Sequence, residues 1–355
     1  MEFYLLFLTF IVFSMIIPNK KWFFITNFFI MFFFAGLRSM DVGTDTRMYH
    51  NIYYTLRNSP FEWAYIDDST NIEIGHRALM ILLSNISSDG QIYIFIVSMM
   101  TFGLFGKFLY DTTDSDNYKI PVFLFFAFGY FIECCNTIRQ MLAVSIAVNS
   151  IPVFVARKYI RGIMILAVSL LFHLSNVLLA LVILFSFIYV HVFCKKRLIL
   201  PLAIVLICIF LGTSYSDVII DIFLSGLGEK YQYYLFSSYS NATGLSSIKI
   251  ISTCTILLWA MIYKYKESER LYIGVLFLLL VADIGCLLVS SSFFGMFYRF
   301  HYAFFCAACP LISLLLKYTG NLYKIWLYPM FILMGYVSLY RLCLTADNIR
   351  FLFCF

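Results

Sequence analysis

The sequence predicts an all-α protein that crosses a membrane many times. Three observations lead there. Of its 355 residues, 62% are hydrophobic and only 12% are charged, against about 25% charged in a soluble domain, so no soluble core of this length could hide the apolar surface. The apolar residues form continuous runs rather than alternating, which suits helices and not a β-barrel. Phe (40) and Tyr (26) are abundant, and aromatic rings suit a bilayer and its interfaces.

Apolar runs fall at 4–17, 22–37, 91–109, 120–133, 140–155, 162–173, 175–193, 198–215, 248–263, 271–289, 300–316 and 325–342. They predict about 12 transmembrane helices, with a range of 10–12, in one integral membrane domain covering 1–355. Several runs are shorter than the roughly 20 residues of a straight span, and border Tyr and Trp extend them into the headgroup region. Five basic clusters set the orientation: Lys20-Lys21, Arg157-Lys158-Arg161, Lys195-Lys196-Arg197, Lys264-Lys266-Arg270 and Lys317/Lys324. All five are expected on the cytoplasmic side, which puts both termini outside. Basic clusters bracket 162–193, so this stretch is expected to go out and return, turning near His173-Leu174-Ser175-Asn176; one long tilted helix and eleven spans is the alternative. The loop 110–119 falls inside despite Asp111, Asp114 and Asp116, because acidic residues contribute little to orientation.

Two segments are long enough to be external loops, 38–90 and 216–247. The first contains Ala78 to Ile86, an apolar stretch too short to span and expected to form an interfacial or re-entrant helix. Met1-Glu2 is not a basic leader, so the first run reads as a helix that stays. The net charge of +6 does not point to nucleic acid, because most Lys sits in the short hops between runs. Cys306 and Cys309 form a C-x-x-C inside an apolar run without a second pair, which reads as packing rather than metal or redox chemistry.

Under this topology the external basic residues are Arg38, Arg47, Arg57, Arg77, Arg139, Arg299, Arg341, Arg350 and Lys230, eight Arg to one Lys. Orientation alone needs no such preference. A guanidinium holds phosphate through two parallel bonds and is weakly hydrated, and charge at membrane depth is costly and usually functional. The pattern predicts an external cationic pocket for a phosphorylated or pyrophosphorylated lipid, with Arg139 and Arg299, each abutting a long apolar run, as its best candidates. The alternative for any one Arg is an ion pair with Asp or Glu, or snorkelling to headgroups.

Four short motifs then point to a family. Arg38, Gly43-Thr44-Asp45 and Tyr49 resemble an R-x(4)-G-T-D-x-x-x-Y signature. Asn136-Thr137-Ile138-Arg139-Gln140 resembles an N-x-I-R-Q element, and Phe172-His173-Leu174-Ser175 an F-H-x-S element. Arg299, Tyr302 and Phe304 or Phe305 are similar to a late R-x-x-Y-[FY] element. In this order, over roughly 34–305, they resemble the EpsG-like branch of the bacterial oligosaccharide repeat-unit polymerases (O-antigen polymerases, Wzy). The resemblance implies a fold of the glycosyltransferase C type in the bacterial inner membrane, with its active face periplasmic. It implies a glycosyl transfer without a nucleotide sugar or metal: a glycan on undecaprenyl pyrophosphate moves onto a single lipid-linked repeat unit. Donor and acceptor glycans and membrane lipids are then the partners, a chain-length regulator is left open, and no cofactor or nucleic acid is expected.

That chemistry needs a cation for the leaving pyrophosphate, often the largest catalytic contribution, and a base near the acceptor hydroxyl. Arg139 and Arg299 are assigned the cation, with Arg38 next. His173 is the candidate base, since imidazole titrates near neutrality; the alternative is a helix-packing histidine bonded to a carbonyl. His76 and His301 are rivals, and His50 lies beside the Gly-Thr-Asp segment. Asp45 either takes the proton or, the favoured reading, caps a helix starting at Thr46. Gly43 is expected to permit a tight turn or a close backbone approach. Tyr49 is expected to stack on a sugar or to sit in the interface belt, and Thr44, Gln140, Arg47, Arg77 and Tyr302 complete the candidate substrate contacts. Asp114-Ser115-Asp116 matches a metal-binding D-x-D, but a loop of about ten residues lacks the folded domain that motif needs. The competing functions are a flippase for the same lipid-linked units and a ligase to lipid A core; a flippase would bury ionisable groups mid-helix, and these are sparse here, Asp283 being the clearest, while the ligase is disfavoured by the motif resemblance alone.

Overall fold

The computed structural model describes residues 2–58, 72–193, 243–292 and 298–345. The apolar run at 198–215, the basic cluster at 195–197 and most of the expected loop 216–247 lie outside the described residues. Among those described, the regular elements are helices: α1 (Glu2–Ser14), α2 (Lys20–Gly36), α3 (Thr46–Asn58), α4 (Ile74–Ser84), α5 (Gln91–Thr112), α6 (Lys119–Ala127), α7 (Tyr130–Asn136), α8 (Ile138–Val148), α9 (Ser150–Val155), α10 (Tyr159–Phe172), α11 (Val177–Phe193), α12 (Thr243–Ile262), α13 (Glu267–Ser292), α14 (Tyr298–Phe305), α15 (Ala308–Tyr318) and α16 (Asn321–Thr345).

The eleven expected apolar runs inside the described residues each coincide with a helix or a broken pair of helices. Among the described residues, five helices are long and apolar enough to cross a membrane: Gln91–Thr112, Ile138–Val155, Leu174–Val192, Glu267–Val289 and Arg299–Tyr318. The pair Lys119–Ala127 and Tyr130–Asn136, bent by 49°, passes the same test together and forms either a broken span or a re-entrant loop. The protein is therefore a multi-pass membrane protein, helical in the regular elements of its described residues. The remaining apolar runs form shorter helices, among them Phe3–Ser14, Tyr159–Phe172 and Trp326–Tyr340.

The breaks have local causes. Gly129, at φ +87°, lies in the left-handed region that favours glycine and turns α6 into α7. Thr137 (φ −111°, ψ 63°) leaves the helical region between α7 and α8. His173 is extended (φ −159°, ψ 112°) and ends α10, after which Leu174–Asn176 form one 3-10 turn. The expected break in 162–193 is thus at His173. The apolar stretch at 78–86 belongs to α4, which starts at Ile74 and, at 11 residues, is about 16 Å long, too short to span.

The chain forms two compact units, Met1–Ala180 with Thr319–Phe355, and Leu181–Tyr318. In the first, α2 and α5 run antiparallel. Gln91 Nε2 donates to the Gly36 carbonyl at 2.6 Å at one end, and Lys20 Nζ donates to the Thr113 carbonyl at 2.9 Å at the other. α8 lies alongside α5, joined by Asn149 Nδ2 to the Leu104 carbonyl at 2.9 Å. A buried cluster including Tyr49, Tyr53, Ile72, Met80, Tyr93 and Ile138 seats α3 and α4 on the starts of α5 and α8. Lys20, Lys21 and Lys107 lie toward one end of this unit; Arg38, Tyr49 and Arg139 lie at the opposite end.

Candidate active site

The site in the first unit is assembled from four distant pieces of chain: the loop into α3, Glu73, the α7–α8 junction and His173. The first is the loop between α2 and α3. Gly43 has φ +86°, and a Cβ placed there would lie 2.2 Å from the Cys135 carbonyl oxygen, so this position needs glycine both for its turn and for its close approach. Thr44 Oγ1 donates to the Asn136 carbonyl at 3.1 Å. The Gly-Thr-Asp segment thus docks on the end of α7, one residue before the break that launches α8 and Arg139. Asp45 directly precedes α3; its carbonyl accepts from Tyr49 N at 3.1 Å, and its carboxylate accepts from Thr44 Oγ1 at 3.3 Å.

Arg139, on the first turn of α8, is the hub. Its Nε donates to the Tyr49 hydroxyl, and its guanidinium carbon stands 5.5 Å from the Tyr49 ring centroid. Its NH1 group donates to Glu73 Oε2 at 2.5 Å. The other Glu73 oxygen meets His173 Nδ1 at 2.8 Å and lies 3.4 Å from the Leu174 amide. One carboxylate therefore bridges the N-x-I-R-Q and F-H-x-S elements. The Arg139, Glu73 and His173 side chains are 17%, 16% and 22% exposed, so the group is largely enclosed yet open at one side.

Electrostatics fix the protonation pattern. Burial pushes the Glu73 carboxyl up, but the His173 hydrogen bond and the Arg139 and His173 charges outweigh it and hold it down at about 2. An ionised carboxylate only accepts hydrogen bonds. The proton in the contact therefore sits on His173 Nδ1, and in the neutral ring Nε2 is left as the acceptor. Burial pushes the Tyr49 phenol up, keeping its proton. His76, on α4, is buried and bonds the Tyr93 hydroxyl through Nδ1 at 2.7 Å. Burial, with the Arg139 charge, pushes it down to about 3, so it is a neutral packing residue, edge-on to Phe172.

The other expected site residues separate clearly. Arg38 is 1% exposed; it donates to Thr46 Oγ1 at 3.1 Å, to Ser98 Oγ at 3.2 Å and to the Ala35 carbonyl, and so acts as a buried strut beneath the docked loop. Tyr49 is also 1% exposed, and its ring faces Arg139 rather than an interface. Arg47 is exposed and paired with exposed Asp41. Arg77 is partly buried, with Nε buried and unbonded among the described residues. Gln140 is 8% exposed, next to Arg139 on α8. The side chains of Arg57, Arg341, Arg350 and Lys230 lie outside the described residues.

Arg299, at the start of its span, belongs to the second unit and is exposed. Tyr302 is buried, with Lys249 Nζ 3.4 Å from its hydroxyl and 4.5 Å from its ring centroid. In the same unit His301 Nδ1 meets Asp283 Oδ1 at 2.7 Å, and Asp283 Oδ2 accepts from Thr253 Oγ1 at 3.0 Å. His301 and Asp283 are 1% and 0% exposed.

Sequence reasoning missed Glu73. The signal was indirect: an Arg and a His placed together at membrane depth need a counter-charge, and Glu73 is the acidic residue at the start of α4, which holds His76 and Arg77.

No curated protein and no solved structure matches the chain significantly. The model of the EpsG family matches residues 21–352, nearly the whole chain and a range within which all four sequence motifs fall. The chain belongs to the EpsG family of polysaccharide-polymerase-like membrane proteins, and its work lies in exopolysaccharide or surface-glycan biosynthesis.

Proposed function

We propose that the protein is a metal-independent repeat-unit polymerase that joins undecaprenyl-pyrophosphate-linked oligosaccharides into O-antigen or a related surface polysaccharide, at the periplasmic face of the bacterial inner membrane. The observation that supports this reading is the Glu73 carboxylate bridging Arg139 and His173. It gives an oriented base and a cation within one small group, at the end of the first unit opposite Lys20 and Lys21. In this reading an acceptor sugar hydroxyl gives its proton to His173 Nε2 while its oxygen bonds to the anomeric carbon of the donor glycan. The bond from that carbon to the phosphate oxygen breaks, and undecaprenyl pyrophosphate leaves with the electron pair.

Glu73 holds His173 in the tautomer that can accept the proton, the logic of the His–carboxylate pair in hydrolases. Arg139 faces the developing negative charge, and Tyr49 fixes its guanidinium plane. Gly43, Thr44 and the buried Arg38 seat the loop against α7, while Asp45 caps α3 rather than taking the proton. Gln140, Arg47 and Arg77 are assigned to the glycans or their phosphates. Arg299 and Tyr302 are assigned to substrate in the second unit on the strength of their motif. A glycosyltransferase C-type fold with about 12 crossings belongs to the same reading.

The test is reconstitution of the purified protein with synthetic undecaprenyl-pyrophosphate oligosaccharide in the presence of chelator. A ladder of polymer is expected, lost with His173→Ala and with Arg139→Lys, since an ammonium cannot reproduce the guanidinium fork. A normal ladder from His173→Ala removes His173 as the base. Full activity in both Arg139→Lys and Arg299→Lys removes the guanidinium-grip mechanism.

A further inference from the structure

The end of the first unit opposite the Arg139 cluster carries a second constructed feature. α2 and α5 enclose an open groove of about 550 Å³ on the outer surface of their pair. Its walls are apolar, with Phe29, Ile25 and Met99 all more than 40% exposed. Its floor is made by Gly103: a Cβ there would meet no atom within 4 Å, so the missing side chain leaves real space. Lys21 and Lys107, both exposed, stand at one end of the groove with Tyr110. Lys107 is paired with Asp111 one turn on. Lys21 has no hydrogen bond or ion pair among the described residues. Lys20 adds a third positive charge close by, 4.8 Å above the Tyr110 ring.

We infer that this groove holds one acyl chain of an anionic glycerophospholipid, with the lipid phosphate between Lys21 and Lys107. Length supports this occupant. From Lys21 to Phe32 the α2 wall rises about 16 Å, close to the roughly 15 Å of one leaflet in a hydrocarbon core of about 30 Å. Charge supports it too: Asp111 pairs with Lys107, and Asp111 and Asp114 act on Lys20, which leaves Lys21 as the groove's unpaired cation among the described residues, at the end that the positive-inside rule assigns to the cytoplasmic leaflet, where anionic lipid attracts Lys and Arg. A neighbouring groove between α1 and α2, lined by Phe3, Phe10, Phe33 and other apolar residues, has no charged residue in its wall. It offers nothing to select a headgroup. The lipid at Lys21 is thus a bound component of the helix pair, whichever reaction the opposite end performs.

The experiment uses the full-length protein in nanodiscs of equal phosphatidylglycerol and phosphatidylcholine with matched chains. Native mass spectrometry then counts the lipid retained after mild extraction. One retained phosphatidylglycerol is expected, favoured about fivefold over phosphatidylcholine, the value of one Lys near an anionic surface. Lys21→Gln should reduce that preference toward unity. Gly103→Leu, which fills the groove and improves helix propensity, should abolish retention of both lipids while helicity stays unchanged. Equal retention of the two lipids by the wild type, or undiminished phosphatidylglycerol on Gly103→Leu, overturns the inference.

Discussion

Replacing Glu73 with Gln keeps the size of the bridge and removes its charge. The amide can offer one oxygen to His173 or to Arg139 but not to both, and its NH2 then faces another donor. The structural cost follows from the carboxyl itself. Its value falls from 4.5 to about 2 in the folded protein, which corresponds to about 3 kcal/mol of stability; the side chain is only 16% exposed, so little of this is lost to solvent screening. A depressed acid contributes fully above its unfolded value and loses its contribution as pH falls through the folded one. The stability gap between wild type and Glu73→Gln should therefore be about 3 kcal/mol at pH 6 and shrink progressively between pH 4.5 and pH 2, where the wild-type carboxyl becomes neutral as well. Denaturant unfolding in detergent at pH 6, 4 and 2.5 reads that gap. On the reading of the bridge as catalytic support, polymer formation at pH 7 should also drop by a hundredfold or more, the usual contribution of a positioned base. A gap that is absent, or the same at every pH, refutes the electrostatic account. Wild-type polymerisation by Glu73→Gln refutes the catalytic one.

Other positions give independent checks. Gly43→Ala must leave φ +86° or drive its methyl into the Cys135 carbonyl; it should cost at least about 1 kcal/mol in thermal stability and remove activity by unseating the loop. Tyr49→Phe keeps the ring beside Arg139 and loses only the hydroxyl, so polymerisation should fall about tenfold, as for one hydrogen bond to a charged group, with helicity unchanged by circular dichroism. His76 is held neutral in the fold with its value near 3 against 6.5 unfolded, so the wild type should lose stability as pH falls from 6.5 toward 3. His76→Phe should lack that component in acid melts, at the cost of the Tyr93 hydroxyl's partner.

The helices were legible because bilayer solubility writes itself into composition: the runs at 91–109 and 271–289 need no knowledge of neighbours to be recognised. Two breaks were legible in part, since His173 ends an apolar run and Gly43 marks a turn. The roles of individual arginines were not. Arg38 and Arg139 look alike along the chain, each beside a hydrophobic stretch, yet one is covered by Thr46 and Ser98 and the other stands at the edge of the cluster. Which of them meets solvent depends on how α3 folds back over α5, a long-range fact with no local signature. Glu73 was illegible for the same reason, because its partners lie 66 and 100 residues away. The breaks at Gly129 and Thr137 were not legible, because hydropathy does not register a local turn inside an apolar run.

The seating of the Gly-Thr-Asp loop has a consequence of its own. Gly43 abuts the carbonyl of residue 135 and Thr44 bonds the carbonyl of residue 136, so the clasp closes on main-chain oxygens that any amino acid would supply. Exchange of the Cys135 or Asn136 side chains leaves both anchor points in place. The latch is demanding on one side and indifferent on the other, so mutational tolerance should be sharply lopsided across a single contact.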